Sequence, residues 1–140
     1  MKKYLISIMV LSLLSAIVYA DEVSNFVFSS FTKDCHGSNF ENKSFENMNL
    51  EGYNFEKAQL DKTNFRNANL KNANFKGADI ENATFEGANL ENANFENADL
   101  EETSLLNANI KNTNFKNAEL EYATWTDGKI CGAGSVGSCW

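Results

Sequence analysis

The residues that most often carry out catalysis or bind metals are few in this chain of 140 residues. His36 is the only histidine, and Cys35 beside it is one of three cysteines. No serine or cysteine motif near His36 supports a nucleophilic triad. A zinc site is also disfavoured, because adjacent residues of an extended chain point in opposite directions and Cys131 and Cys139 are distant in sequence. We therefore predict no enzymatic activity, no catalytic residue, no metal ligand and no cofactor.

A repeat of five residues makes up most of the chain and determines the positions of its side chains. Eighteen consecutive units span residues 38–127, each with a small, a polar, a large apolar and two hydrophilic residues in that order. A period of five fits neither the α-helix nor the plain strand, so the chain is a repeat array. The small and large apolar residues are two apart, so both face the interior of a short extended segment. Asn or Gly at the fifth position is typical of a tight turn with positive φ.

The number of sides follows from the large apolar position, which alternates between Phe and Leu or Ile over much of the repeat. From Phe45 to Leu100, units that are twenty residues apart carry the same type, so a coil of four sides gives uniform columns, and Leu105 departs from this pattern. The predicted aromatic columns are Phe45, Phe65 and Phe85 on one side, and Phe55, Phe75, Phe95 and Phe115 opposite. The predicted aliphatic columns are Leu50, Leu70, Leu90 and Ile110 on the third side, and Leu60, Ile80, Leu100 and Leu120 on the fourth. The fold class is therefore all-β, with a filled apolar core.

Residues 68–70, 88–90 and 98–100 read Ala-Asn-Leu, Ala-Asn-Leu and Ala-Asp-Leu. They match the consensus Ala-Asp/Asn-Leu-x-x of the pentapeptide-repeat family, which the chain resembles over residues 38–127. The resemblance implies a right-handed quadrilateral β-helix, in agreement with the four columns. Eighteen units at four units per coil give about 4.5 coils.

Residues 1–20 resemble a secretory signal peptide. Lys2 and Lys3 precede an apolar segment, and small residues at Val18 and Ala20 suit signal peptidase, so we expect cleavage after Ala20. An uncleaved anchor helix is the alternative, although the apolar segment is short for a membrane span. Cleavage would leave a periplasmic or secreted chain that is not attached to a membrane, and its formal charge would change from −7 to −9.

Two segments outside the repeat are expected to cover its ends, because an uncovered end exposes core and unpaired backbone. Residues 21–37 form the predicted N-terminal cap, and the Gly-rich residues 128–140 form the predicted C-terminal cap. The Trp-x-Asp-Gly and Cys spacing of the C-terminal segment is similar to that of exported members of the family.

Export favours a disulfide, since oxidising compartments preserve this bond. Cys131 and Cys139 flank a seven-residue Gly-rich loop, whereas Cys35 lies nearly five coils away, or about 20 Å. Cys139 reaches Cys35 only if the whole C-terminal segment stretches along the rod. We therefore predict a Cys131–Cys139 disulfide, with Cys35 buried or free.

Charged residues at the fourth position of each unit also form columns, in which successive members are twenty residues apart. One column alternates in sign and neutralises itself: Glu51, Lys71, Glu91 and Lys111. Another column is entirely acidic: Glu41, Asp61, Glu81, Glu101 and Glu121. The acidic column is suited to attracting cations or a basic partner; the alternative is a solvated edge whose repulsion is screened by salt.

Leu106 occupies an outward corner position and is a second candidate surface feature. It is either a contact point for a partner or second copy, as in a homodimer, or an isolated surface leucine of the ordinary kind. The core leaves no room for a ligand pocket, so any function must use the outer surface.

Two functional hypotheses follow. The first is an exported, non-catalytic structural or protein-interaction module that presents a rigid acidic surface to a protein partner and binds no nucleic acid, because acidic surfaces repel it. The second comes from the family resemblance: some members mimic duplex DNA and bind DNA gyrase. A DNA-mimicking inhibitor or protector of a topoisomerase is the alternative, and the predicted signal peptide disfavours it.

Overall fold

Single parallel β-bridges, each between one residue and the residue twenty positions later, join the units of this protein. A computed structural model describes residues 33–140. The predicted signal peptide (residues 1–20) and residues 21–32 of the predicted N-terminal cap lie outside the described residues. Among residues 33–140, no helix is long and apolar enough to cross a membrane.

The bridges define a coil of twenty residues. They run without interruption from Asp34–Asn54 to Ser104–Thr124, always at the polar second position of a unit. Each bridge involves one residue per segment, so the described part of the chain contains bridges and turns rather than longer strands or helices. Because twenty residues are four units, each coil has four sides, in agreement with the alternation of Phe and Leu. The bridges already include Asp34, within the segment predicted as a cap.

The interior is filled by the aromatic and aliphatic columns. Rings one coil apart stack nearly parallel, as for Phe65 and Phe85, whose centroids are 4.9 Å apart. Rings from the two opposite columns meet edge to face, as for Phe75 and Phe85 at 5.7 Å. Of the predicted core residues, Phe115 near the C-terminal end is 8% exposed, and nine are 0% exposed: Phe45, Phe55, Phe65, Phe75, Phe85, Phe95, Leu70, Leu90 and Leu100. This packing leaves room only for small residues at the first position.

The corners are tight turns whose last residue has positive φ. Asn67 adopts φ 56° and Gly87, one coil later, adopts φ 67°. A Cβ atom at Gly87 would lie 2.5 Å from Oδ1 of Asn67, so glycine fits this corner without displacing its neighbour. Lys57 and Tyr122 adopt the same conformation at φ 56° and 57° although their side chains do not favour it. The hydrogen bonds between coils therefore override local preference at these corners.

Asparagine side chains at the second position form ladders along the outside of the rod. Nδ2 of Asn69 donates to Oδ1 of Asn49 at 3.0 Å, and Nδ2 of Asn89 donates to Oδ1 of Asn69 at 3.3 Å. Oδ1 of Asn69 also accepts the backbone N–H of Lys71 at 3.3 Å. The polar second position thus stabilises both the stacking of coils and the adjacent turn.

The C-terminal segment turns back over two sides of the last coil. Ile130 forms an antiparallel bridge with Thr124, and Val136 forms one with Glu119. The Cys131–Cys139 disulfide, with Cα atoms 4.8 Å apart, closes a loop that contains Val136. Cys35 is a free, buried cysteine.

Candidate functional site

The residues with the greatest catalytic potential are poorly placed for catalysis. The His36 side chain is exposed, and the Cys35 side chain beside it is buried. Burial, followed by the nearby Asp34 carboxylate, raises the pKa of the Cys35 thiol to about 12. The thiol is therefore protonated at neutral pH and inaccessible, whereas a nucleophilic cysteine needs an exposed thiolate.

One side of the rod carries a continuous group of carboxylates, which we call the acidic edge. It contains the acidic column predicted from sequence together with three acids at the second position of the same side. Its residues are Glu41, Asp61, Asp79, Glu81, Asp99, Glu101, Glu119 and Glu121. Sequence reasoning missed Asp79, Asp99 and Glu119, although a period of twenty applied to the second position would have grouped them.

The acids at the C-terminal half of the acidic edge are close together. Carboxylate oxygens of Asp99, Glu101 and Glu119 all lie within 4.8 Å of one another. Desolvation and then the Asp99 carboxylate raise the pKa of Glu101. The Asp99 carboxylate, followed by desolvation, raises the pKa of Glu81. These shifts mean that the fold holds like charges together, so a cationic group that approaches them relieves repulsion.

Lys62 offsets part of the negative charge of the acidic edge. Nζ of Lys62 lies 2.7 Å from Oδ2 of Asp61, and this hydrogen bond raises the pKa of Lys62. Oδ1 of Asp61 is buried and has no hydrogen-bond partner in the described part of the chain. Near the C-terminal end, the backbone N–H of Gly134 donates to Oε2 of Glu121 at 3.2 Å.

Other corners, in contrast, carry ion pairs between successive coils. Lys71 pairs with Glu91 at 3.3 Å. Glu96 lies between Lys76 at 3.4 Å and Lys116 at 3.5 Å, and these cations lower its pKa. Uncompensated negative charge is therefore concentrated on one edge of the rod.

Leu106, the second candidate from sequence, is half-buried at its corner. Its Cδ1 would lie 3.7 Å from a Cβ placed on Gly128, so the start of the C-terminal segment covers part of it. The exposed large apolar side chains of residues 33–140 all lie towards the C-terminal end of the sequence: Tyr122, Ile130, Val136 and Trp140. Sequence reasoning did not single out the last three because the C-terminal segment does not follow the five-residue repeat.

Comparisons with known proteins agree with the repeat seen in sequence and structure. A family model described as a pentapeptide repeat region matches residues 25–95. A second model, described as pentapeptide repeats in eight copies, matches residues 88–124. A search of curated proteins finds no match to this chain.

Several solved structures are similar to the chain. A pentapeptide repeat protein from the cyanobacterium Cyanothece 51142 is 33% identical over 66% of this chain and 63% of its own length, with a TM-score of 0.43. A pentapeptide repeat protein from Nostoc is 24% identical over 66% of this chain and 73% of its own, with a TM-score of 0.37. QnrB1, a plasmid-mediated fluoroquinolone resistance protein, is 26% identical over 74% of this chain and 61% of its own, with a TM-score of 0.39.

The chain thus spans less than two thirds of the length of two of these structures. The match to residues 25–95 covers just over half of the chain, and the bridges repeat every twenty residues. The protein therefore belongs to the pentapeptide-repeat family.

Proposed function

We propose that this protein is an exported, non-catalytic interaction module whose acidic edge binds a basic surface of a partner protein. In this proposal the rod is a right-handed quadrilateral β-helix of about 4.5 coils. The observation that supports it most directly is the convergence of Asp99, Glu101 and Glu119 within 4.8 Å. Ionised acids so close together favour a cationic partner, since its approach removes like-charge repulsion.

The rigidity of the rod adds to the suitability of the acidic edge for recognition. The backbone N–H of Ile80 donates to the carbonyl of Asp99 at 2.9 Å, and the N–H of Leu100 donates to the carbonyl of Glu119 at 2.8 Å. These bonds fix the spacing between successive acids before a partner arrives. A preorganised surface loses less conformational entropy on binding than a flexible one.

Neutralising the centre of the acidic edge is expected to weaken binding to a cationic probe. The variant Glu81→Gln/Asp99→Asn/Glu101→Gln should bind a labelled lysine decamer roughly tenfold more weakly, since exposed charge pairs contribute up to about 1 kcal/mol each. The matched control, Glu51→Gln/Glu91→Gln/Glu96→Gln, also removes three negative charges but leaves the acidic edge intact. Fluorescence anisotropy at low ionic strength measures both affinities.

Because the pKa values of Glu81 and Glu101 are raised, the affinity for the lysine decamer is expected to depend on pH. As pH falls from 7 towards these values, the two carboxyls become neutral before ordinary surface glutamates do, and the wild-type affinity should decrease. The triple edge variant should lose this part of the pH dependence. Equal affinities of the edge and control variants would contradict a localised binding edge. Proteins from the exported fraction that wild type and control retain, but the edge variant does not, are the partner candidates.

The exported location has its own test. Fractionation followed by N-terminal sequencing should find a periplasmic or secreted chain that begins at Asp21, because the predicted cleavage site follows Ala20. A cytoplasmic chain that still begins at Met1 would contradict export.

A DNA-mimicking inhibitor or protector of a topoisomerase is the second candidate. The same acidic edge supports it, because a basic DNA-binding groove also attracts aligned negative charges. A supercoiling assay with purified protein distinguishes the two: inhibition or protection at stoichiometric amounts favours the topoisomerase, and no effect favours another partner. The contact at Leu106 and a homodimer stay predictions.

A further inference from the structure

The C-terminal end of the rod is covered on two of its four sides. Val136 covers the side of Glu119, and Ile130 covers the side of Thr124. Asn109 and Asn114 on the other two sides bridge to the preceding coil but to no later segment among the described residues. We call residues 108–117, which form these two sides, the open edge.

Backbone groups of the open edge lack the partners that their counterparts have one coil earlier. The N–H groups of Leu90, Asn92 and Phe95 donate to the next coil at 2.9, 3.0 and 2.7 Å. On the open edge, the corresponding N–H groups are those of Ile110, Asn112 and Phe115. Within the described part of the chain these three donors form no hydrogen bond, and neither do the carbonyls of Ala108 and Thr113.

Side-chain burial also indicates that a covering segment is missing from this part of the coil. Leu50, Leu70 and Leu90 are fully buried, whereas Ile110 in the same column is half-buried. A row of unpaired donors and acceptors beside a partly exposed apolar side chain is the arrangement that accepts an added β-segment.

Charge indicates what kind of segment fits. In the interior, Lys71 pairs with Glu91 of the next coil at 3.3 Å. On the open edge, Lys111 occupies the position of Lys71, and it has no ion pair within residues 33–140. Lys116, at the other corner of the open edge, lies 3.5 Å from Glu96 of the preceding coil. Glutamate and lysine alternate along both columns, so a segment added in the same register places an acid beside each lysine: Glu51, Lys71, Glu91, Lys111 and Glu56, Lys76, Glu96, Lys116.

The interior of the rod contains a close copy of the open edge with its partner in place. Residues 68–77 read ANLKNANFKG, and residues 108–117 read ANIKNTNFKN, with seven of ten positions identical. The segment that lies against residues 68–77 is residues 88–97, ANLENANFEN. Its two glutamates pair with the two lysines at 3.3 and 3.4 Å.

We propose that the open edge binds an extended segment of a partner protein that carries apolar residues five positions apart, each followed by an acidic residue. The segment pairs with the N–H groups of Ile110, Asn112 and Phe115. One of its apolar side chains covers Ile110, and the other lies beside Phe115, which is 8% exposed and packs against the ring of Trp125 at 5.3 Å. Its carboxylates pair with Lys111 and Lys116. This interface is separate from the acidic edge and selects partners of the opposite charge.

The test uses a peptide taken from the chain itself and a matched control. Full-length protein is titrated with a labelled peptide of residues 88–97, and separately with a control peptide of the same sequence in which both glutamates are replaced by lysine, as at the corresponding positions of residues 68–77. We expect the acidic peptide to bind at least about tenfold more tightly. The variant Lys111→Gln/Lys116→Gln should lose this preference. The variant Lys57→Gln/Lys62→Gln, which removes the same charge elsewhere, should retain it, and a thermal melt verifies that both variants fold.

Amide hydrogen exchange locates the interface. The N–H groups of Ile110, Asn112 and Phe115 should exchange faster than those of Leu90 and Phe95 in the free protein, and should slow when the acidic peptide is present. Equal binding of the two peptides, no binding, or unchanged exchange at these amides would overturn the proposal. Sedimentation that shows a dimer in which these amides are already protected would assign the open edge to a second copy instead, and would also overturn it.

Discussion

Phe75→Ala is expected to lower the free energy of unfolding by about 3–5 kcal/mol, because it creates a cavity in a filled column. The Phe75 ring stacks between those of Phe55 and Phe95, with centroids 5.0 and 4.7 Å away. It also meets Phe65 and Phe85 edge to face at 5.8 and 5.7 Å. Bridges and turns hold the backbone on each side, so the neighbouring rings have little freedom to collapse into the space.

Urea unfolding followed by circular dichroism measures this effect. Phe75→Leu supplies the matched control, since leucine fills the same position in the aliphatic columns and should cost substantially less. Lys76→Ala tests an exposed neighbour and should change the stability by less than about 0.5 kcal/mol. A loss below about 1 kcal/mol for Phe75→Ala would contradict a ring that is fixed in a filled interior.

The repeating part of the fold could be predicted from the sequence because the type of the large apolar residue in each unit indicates the number of residues in a coil. Phe75 and Phe95 are of the same type and one coil apart, and the structure stacks their rings with an interplanar angle of 3°. The bridges between residues twenty positions apart agree with the period deduced from these residues. The pattern is informative since any shift by one unit would place leucine against phenylalanine in every column.

The acidic edge was only partly predictable. The column with Glu81 and Glu101 follows from counting charges at the fourth position, but Asp99 sits at the second position of its unit. The Asp99 carboxylate is nevertheless the largest cause of the raised pKa of Glu81, and after desolvation it is the second cause of the raised pKa of Glu101. The side chains of the second and fourth positions meet because the turn brings them to the same edge: the N–H of Glu101 donates to Oδ1 of Asp99 at 3.0 Å.

The C-terminal segment was not predictable in detail because its residues leave the repeat. The glycines and serines among residues 128–140 are compatible with many turns, and their sequence does not indicate a reversal of direction. Bridges from Ile130 and Val136 fix that reversal, and it leaves Asn109 and Asn114 without a bridge to a later segment among the described residues. The open edge thus depends on which sides of the last coil the C-terminal segment pairs with, and the composition of that segment does not indicate this.

Loss of the Cys131–Cys139 disulfide is expected to destabilise this C-terminal cap by about 2–3 kcal/mol, the chain-entropy value for a short loop. The backbone N–H of Cys131 donates to the carbonyl of Ala123 at 2.9 Å, and the N–H of Leu120 donates to the carbonyl of Ser135 at 2.9 Å. The disulfide keeps the segments that make these bonds together. Without it, the segment separates more easily and exposes Leu120, which is fully buried in the intact protein.

The variant Cys131→Ala/Cys139→Ala should therefore melt at a lower temperature than wild type, and the backbone amides at positions 120 and 131 should exchange faster. Reducing agent should lower the wild-type melting temperature towards that of the variant, and should leave the variant unchanged. Alkylation of the folded, unreduced protein should modify at most one thiol, and slowly, because Cys35 is buried and burial raises its pKa to about 12. Three reactive thiols in the unreduced protein, or a variant identical to wild type in both melting and exchange, would be incompatible with a cap that depends on this bond.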